Sequence, residues 1–190
     1  MTIEQSRCAW VNDDPLYLAY HDAEWAVPQH DSLALFECLL LEGAQAGLSW
    51  YIILKKREAY RRAFANFDPS KMARFTPKRI DRLVQDASIV RHRGKISAFV
   101  SNAKAYLAMR EAGDDFSAWL WDFVDGAPLQ STRRSMYDVP ASTPLSAKMS
   151  RELKKRGFRF VGATTCYAFM QATGMVNDHL ATCFRCSELR

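Results

Sequence analysis

The sequence predicts an all-α fold. Apolar residues recur at helical spacing over most of the 190 residues, Asp-Pro and Thr-Pro pairs mark helix starts, and strand-like alternation is scarce. Asp31-Ser32 can cap a helix carrying Leu33, Phe36, Leu39, Leu40 and Ala44 on one apolar stripe. Gly43 and Gly47 are expected to break that run. Ser49 can cap the next segment, WYIILKKREAYRRAFANF, with Ile52, Ile53, Tyr60, Phe64 and Phe67 on its buried face. Asp68-Pro69 and Thr76-Pro77 each offer a capping side chain followed by Pro at the first helical position. A further helix is expected over 89–109, a short aromatic one over 116–124, and the last substantial ones over 145–156 and 162–173. Residues 126–144 hold Gly126, Pro128, Pro140 and Pro144 among Ser and Thr, so they read as one long loop before the C-terminal helices. There is no internal repeat and no low-complexity tract.

A chain of this length can bury a substantial core, and residues 1–190 are expected to form one domain or two closely packed lobes. No run of about 18 apolar residues is present, which excludes a transmembrane helix. The opening MTIEQSRC lacks the apolar centre of a signal peptide. Five cysteines, an odd count without an export signal, argue for the reducing cytoplasm and against a disulfide framework. The net charge of +5 is compatible with a polyanionic partner without demanding one. No large apolar helix face is left over, so a monomer is expected.

Cys8 and His21 lie near one end of the chain, His179 and Cys183 near the other. A Cys2His2 set meets the requirement of a tetrahedral zinc site. His179 and Cys183 are i and i+4, so on a helix they share a face. Cys8 and His21 are too far apart for one helical face, and the chain must fold back to join them. Four protein ligands on one ion would tie the two termini together, closing a very long loop. They would leave no position for water, so the ion would be structural. Singly, each residue also reads as a buried thiol or a hydrogen-bonded core histidine.

Tyr17, Tyr20, His21, Asp22, Glu24 and Trp25 lie within nine positions, with Trp10 upstream. Glu42 follows Leu39-Leu40-Leu41 and is expected to be partly buried, where a carboxylate needs a partner. Trp50 follows soon after. An aromatic box with one carboxylate suits a flat, cationic ring, which stacks on the aromatic faces while the carboxylate accepts its N–H groups. From the residues alone, plain core tryptophans and a helix-ending Glu42 read at least as well. Further on, the basic helix end Lys154-Lys155-Arg156 meets a turn opened by Gly157, and a second helix starts near Gly162. Helix, glycine turn and helix form a hairpin whose backbone N–H groups can face a DNA phosphate without reading sequence. Arg91-His92-Arg93-Gly94-Lys95 is a second basic cluster at a glycine-containing junction. Charge runs are usually solvated faces, so neither is decisive alone.

Together these pieces resemble the 3-methyladenine DNA glycosylase I family of the helix-hairpin-helix glycosylase superfamily. The resemblance spans Arg7 to about Cys186 and rests on RCAWV, DPLYLAYHDAEWAVP, LEGAQAGLSW, LKKRE, LVQDASIVRHRGKI, LKKRGFRFVG and NDH followed by Cys183. It implies excision of N3-methyladenine from double-stranded DNA, with a structural zinc on Cys8, His21, His179 and Cys183. It also implies a base pocket built from Glu42, Tyr17, Tyr20, Trp25 and Trp50, with Trp10 alongside. Gly47-Leu48 would enter the gap in the DNA, and Lys154, Lys155, Arg156 and Gly157 would meet the backbone. The family usually has Gly where this chain has Ala9 and Ala26.

A nucleotide must be flipped out of the stack for its base to reach such a pocket. N3 methylation places a positive charge on the base, which can then leave neutral with little acid assistance. Glu42 is expected to act by recognition. Asp178, directly before His179, is expected to orient the metal shell or cap a helix. No lysine is placed for a Schiff base, so a monofunctional reaction is expected. Two other readings are a non-catalytic, zinc-stabilised helical DNA-binding module, which needs neither Glu42 nor the box, and a metal-dependent phosphohydrolase prompted by His21-Asp22. The latter needs an open metal position and more ligands than four histidines offer.

Overall fold

Capping side chains set most of the helix starts. The computed structural model describes residues 6–190, so the reading of the extreme N-terminus as non-signal sequence lies partly outside the described residues. Asp14 accepts from the backbone N–H of Leu16 and opens α1 (Pro15–Ala23). Asp31 accepts from Ala34 and opens α2 (Ser32–Gln45). α3 (Trp50–Ala63) begins after Ser49, whose side chain makes no capping bond. The two expected Pro starts hold: Asp68 caps α4 (Pro69–Met72) and Thr76 caps α5 (Pro77–Gln85). His92 caps α6 (Arg93–Glu111), and Asp115 caps α7 (Phe116–Trp121). A reciprocal Thr143–Ser146 box opens α8 (Pro144–Lys155). α9 (Ala163–Ala172) and α10 (Phe184–Glu188) complete the helices.

α2 is the central element. Leu35, Phe36, Leu39, Leu40, Leu41, Glu42, Gly43 and Ala44 are all buried, and α3, α6, α7 and α9 pack around it. A helix apolar on nearly every side belongs in the interior. Two aromatic groups fill the space beside it. Phe64 contacts Tyr60, Phe67, Phe75 and Phe99, while Phe116 contacts Phe36, Tyr106 and Phe158.

Several elements depart from the sequence reading. α2 runs through Gly43 instead of stopping there. A Cβ at that position would lie 3.2 Å from the Phe160 carbonyl oxygen, so the helix accepts a poor helix former where another backbone approaches. Leu33 and Ile52 are exposed, because the apolar stripes of α2 and α3 extend past the edge of the core in their first turns. The helix expected from residue 89 starts at Arg93, since residues 89–92 form the approach that His92 caps. Residues 126–144 are not a free loop. β1 (Leu129–Gln130) pairs in parallel with β2 (Val176–Asn177), Leu129 opposite Val176, and Arg133 bridges to Leu180. Two-residue strands are too short to leave an alternation in the sequence. No helix among the described residues is long and apolar enough to cross a membrane.

Gly174 turns the chain from α9 into β2 at φ +75°, and a Cβ there would meet the backbone of Val27 and Pro28 at 2.5 Å. Neither a flexible side chain nor a rotamer change can relieve that overlap. Gly174→Ala is expected to cost about 2 kcal/mol or more, read as a lower urea midpoint at an unchanged denaturant slope.

Candidate active site and metal centre

The C-terminal half of α2 carries Glu42 into a pocket of about 200 Å³. Trp10, Tyr17, Tyr20, Trp25 and Trp50 line it with Glu42, so all six residues of the sequence-predicted base site meet in one cavity. Gln45, Met136, Val139, Ala168, Gln171 and Asp178 complete the wall. The volume is below the roughly 300–1,000 Å³ typical of drug-sized ligands and suits a single small ring system. Trp10 lies 5.1 Å from both Tyr17 and Trp25 (ring centroids), and Tyr20 lies 5.4 Å from Trp50. These spacings are those of packed aromatic pairs, which fix one another's orientation.

The polar groups of the pocket are of two kinds. Glu42 is buried and no described residue gives it a hydrogen bond, so burial alone pushes its pKa up to about 8. The Trp50 indole N–H is also buried without a partner among the described residues. Asp178, in contrast, accepts from Ser131, Arg133, Tyr167 and Gln171. Burial pushes its pKa up, but those four donors outweigh it and hold the carboxyl below its usual range. Asp178 therefore neither caps a helix nor bonds to a metal-type side chain. It ties the 131–133 segment to α9, a role the sequence reading did not foresee.

Cys8, His21, His179 and Cys183 converge, with one ligand atom from each lying within 4.8 Å of all the others. All four are buried. The His179 Nδ1 is 3.4 Å from both sulfurs, and the His21 Nε2 is 3.5 Å from the Cys183 sulfur. His179 and Cys183 do not share a helix face as their spacing suggested. His179 follows β2, and Cys183 stands at the N-cap position of α10 without a side-chain capping bond. A turn closed by the Cys183 N–H to the Leu180 carbonyl brings them together instead. The other His21 nitrogen meets Asp22 at 2.7 Å, and Asp22 also receives Arg7. A carboxylate behind a ligating histidine fixes its tautomer, which accounts for the His21-Asp22 pair without a second metal function. The cluster also backs the pocket: the Trp25 ring lies 4.5 Å from that of His179. Ala26 sits at φ +63°, a left-handed conformation that favours glycine.

Gly47-Leu48 forms the turn between α2 and α3 at the edge of the pocket. The Leu48 N–H donates to the Gln45 carbonyl, and the Gln45 side chain donates to the Leu48 carbonyl. Lys95 is buried and donates to the carbonyls of Ala44 (2.8 Å) and Ala46 (2.6 Å). It thus satisfies the open carbonyls at the end of α2. The basic cluster at 91–95 is in this respect structural: Lys95 holds the turn, His92 caps α6 and Arg93 pairs with Asp81.

The α8–α9 hairpin places Lys154, Lys155, Arg156 and Gly157 at its first corner. Gly157, at φ +88°, ends α8 with paired bonds from Gly157 N–H to Lys154 and from Phe158 N–H to Leu153. Lys155 pairs with Glu152, and Arg156 lies over Trp119, while Lys154 is exposed. Asn102 clamps the turn to α6, donating to the Arg159 carbonyl and accepting from its N–H. The sequence reading missed Asn102 and took Lys95 only as part of a basic cluster. Each is a polar residue among the buried positions of α6, and that was the available signal.

The methyladenine glycosylase family profile matches residues 10–186. The chain is 54% identical over 177 residues to DNA-3-methyladenine glycosylase 1 of Escherichia coli (strain K12), covering 93% of this chain and 95% of that one. It superposes on a crystal structure of 3-methyladenine DNA glycosylase I with a TM-score of 0.93 at 54% identity, covering 94% and 98% of the two chains. A structure described as the basis of 3-methyladenine recognition by the Staphylococcus aureus enzyme matches with a TM-score of 0.90 at 42% identity, covering 94% and 95%. The aromatic pocket, the Cys2His2 cluster and the near-complete coverage agree: the chain belongs to the methyladenine glycosylase family.

Proposed function

We propose that this protein is a monofunctional DNA glycosylase that excises N3-methyladenine from double-stranded DNA in base-excision repair, leaving an abasic site. The observation that carries the reading is Glu42, an unpartnered buried carboxylate inside an aromatic box. A protein that only bound DNA backbone would have no use for it. A cationic purine supplies what the pocket lacks: positive charge and N–H donors for Glu42, and flat faces for Trp50, Tyr20 and Tyr17. Trp10 and Trp25 close the box. The Glu42 carboxyl, neutral below about pH 8 while it is alone, ionises as the cationic base enters. Recognition is thereby coupled to the charge that distinguishes methylated from ordinary adenine.

The glycosidic bond of the flipped nucleotide is weakened by the positive charge of the base, which departs neutral. The residues therefore act mainly by binding and orienting. Leu48 fills the space the nucleotide leaves in the stack, with the backbone at Gly47 close to the DNA. The hairpin after Gly157, with Lys154, Lys155 and Arg156, holds a phosphate through backbone N–H groups and salt-sensitive charge. Among the described residues no lysine lines the pocket, which supports hydrolysis without a Schiff base. We further propose that residues 1–190 act as one domain, as a monomer, in the cytoplasm.

The Cys2His2 cluster fits zinc. Zn–S near 2.3 Å and Zn–N near 2.0–2.1 Å in a tetrahedron require S···N separations of about 3.5 Å, and the sulfur–nitrogen distances given above are 3.4–3.5 Å. We assign Cys8, His21, His179 and Cys183 as its ligands. When bound, the ion supplies a structural cross-link between the ends of the chain and takes no part in the reaction.

Glu42→Gln is expected to lower single-turnover release of N3-methyladenine from methylated duplex DNA by about ten- to a hundred-fold, the scale of losing a charge-assisted hydrogen bond. Unchanged release would remove Glu42 from the site. The raised pKa also has a consequence for stability. The folded protein keeps the Glu42 proton up to about pH 8, whereas the unfolded chain releases it near 4.5. Its contribution to stability is complete below the unfolded value and is lost as pH rises through the folded one. The wild-type urea midpoint should therefore fall relative to that of Glu42→Gln between about pH 5 and about pH 9. For the metal, elemental analysis is expected to give one zinc per chain. A chelator should lower the melting temperature, with excision persisting for as long as the fold does; immediate loss of activity in folded protein would make the ion catalytic.

A further inference from the structure

Tyr137 is fully exposed, the most exposed large hydrophobic side chain among the described residues. Its neighbour Met136 lines the base pocket, so the ring stands at the pocket's rim. The turn that presents it is braced. Residues Met136–Asp138 form one turn of 3-10 helix, capped reciprocally by Ser135 and Asp138. The Asp138 carboxylate also accepts from the Arg134 N–H. Arg133 anchors the base of the turn: its guanidinium donates to buried Asp178 and to the Asp138 carbonyl, and its own carbonyl accepts from the Ala181 N–H. The satisfied backbone argues against a frayed loop, and a whole aromatic ring left in water on a fixed support is an unfavourable arrangement that a partner would relieve.

We propose that Tyr137 is a DNA-contacting residue that stacks on the duplex beside the flipped nucleotide. The inference rests on the glycosylase reading and extends it to a segment that reading does not use. Two loops border the pocket: Gln45, which is bonded to Leu48, and Met136 both contribute to its lining. A base seated between them carries its sugar and flanking nucleotides past both. Flipping exposes base faces that were stacked, and an aromatic ring can cover such a face whatever its sequence. Exposed Arg134 places a positive charge on the same turn, as a polyanion requires.

The test compares wild type, Tyr137→Ala and Tyr137→Phe. Binding to a duplex bearing a stable abasic-site analogue is measured by fluorescence anisotropy, and binding of free 3-methyladenine by quenching of the pocket tryptophans. Tyr137→Ala should weaken duplex binding about ten-fold or more, the scale of one lost base–aromatic stack. Free-base binding should stay within about two-fold, and Tyr137→Phe should keep the duplex affinity because stacking needs only the ring. Equal duplex affinities for wild type and Tyr137→Ala would overturn the proposal. So would a parallel loss of both affinities, which would mean that Tyr137 acts through the Met136 wall. Base excision by wild type with a flat Tyr137→Ala result would reject this contact alone; absence of excision by wild type would reject the glycosylase reading beneath it.

Discussion

The burial of Glu42 without a partner is the constraint around which the molecule is organised. A carboxylate in an apolar setting loses hydration that no internal bond restores, which is why its proton is held to about pH 8. Only a well-anchored scaffold keeps such a group in place. α2 provides it, with Leu35, Phe36, Leu39 and Leu40 almost wholly buried and helices packed on several sides. The unfavourable group is thus fixed in a well-buried helix and faces a cavity instead of the core. A ligand with N–H donors and positive charge completes the arrangement.

The rest of the site is placed relative to that helix. Lys95 holds the carbonyls at the end of α2 and so fixes the turn that carries Leu48. The close approach of the α8–α9 turn at Gly43 sets the hairpin against the residue next to Glu42. The Cys2His2 cluster supports the opposite wall, where Trp10 and Trp25 pack on the histidine rings. The Cys2His2 cluster and the pocket are therefore mechanically joined. An ion held by those four residues would also keep the aromatic box in register.

Asp178 illustrates how two carboxylates in one cavity acquire different characters. Glu42 is alone and is driven towards its neutral form, whereas Asp178 has four donors and is held ionised. Both are almost fully shielded from solvent, and the four donors around Asp178, which Glu42 lacks, separate them. Asp178 serves the segment that carries Arg133 and the exposed turn at Tyr137, joining the rim of the pocket to α9 and to the strand before His179.

The sequence by itself determined the helical class, the Asp-Pro and Thr-Pro starts and the hairpin at Gly157, and it marked the Cys8, His21, His179 and Cys183 quartet; the membership of the aromatic box followed only from the family resemblance. The former features are local, or they rest on residue types too rare and too polar to be scattered through a core by chance. What remained open concerned distance. Helical spacing suggested a shared face for His179 and Cys183, but a turn after β2 brings them together, because tertiary closure and not helix periodicity sets ligand geometry. Apolar stripes predicted burial for Leu33 and Ile52, yet a stripe does not say where the core ends. Nothing local marked residues 126–144 as pinned to β2, since a two-residue parallel pairing takes its stability from partners far away in the chain. Whether Glu42 would end a helix or stand unpartnered in a pocket was likewise decided only by tertiary structure, because a carboxylate's charge state depends on which groups the fold brings within hydrogen-bonding reach.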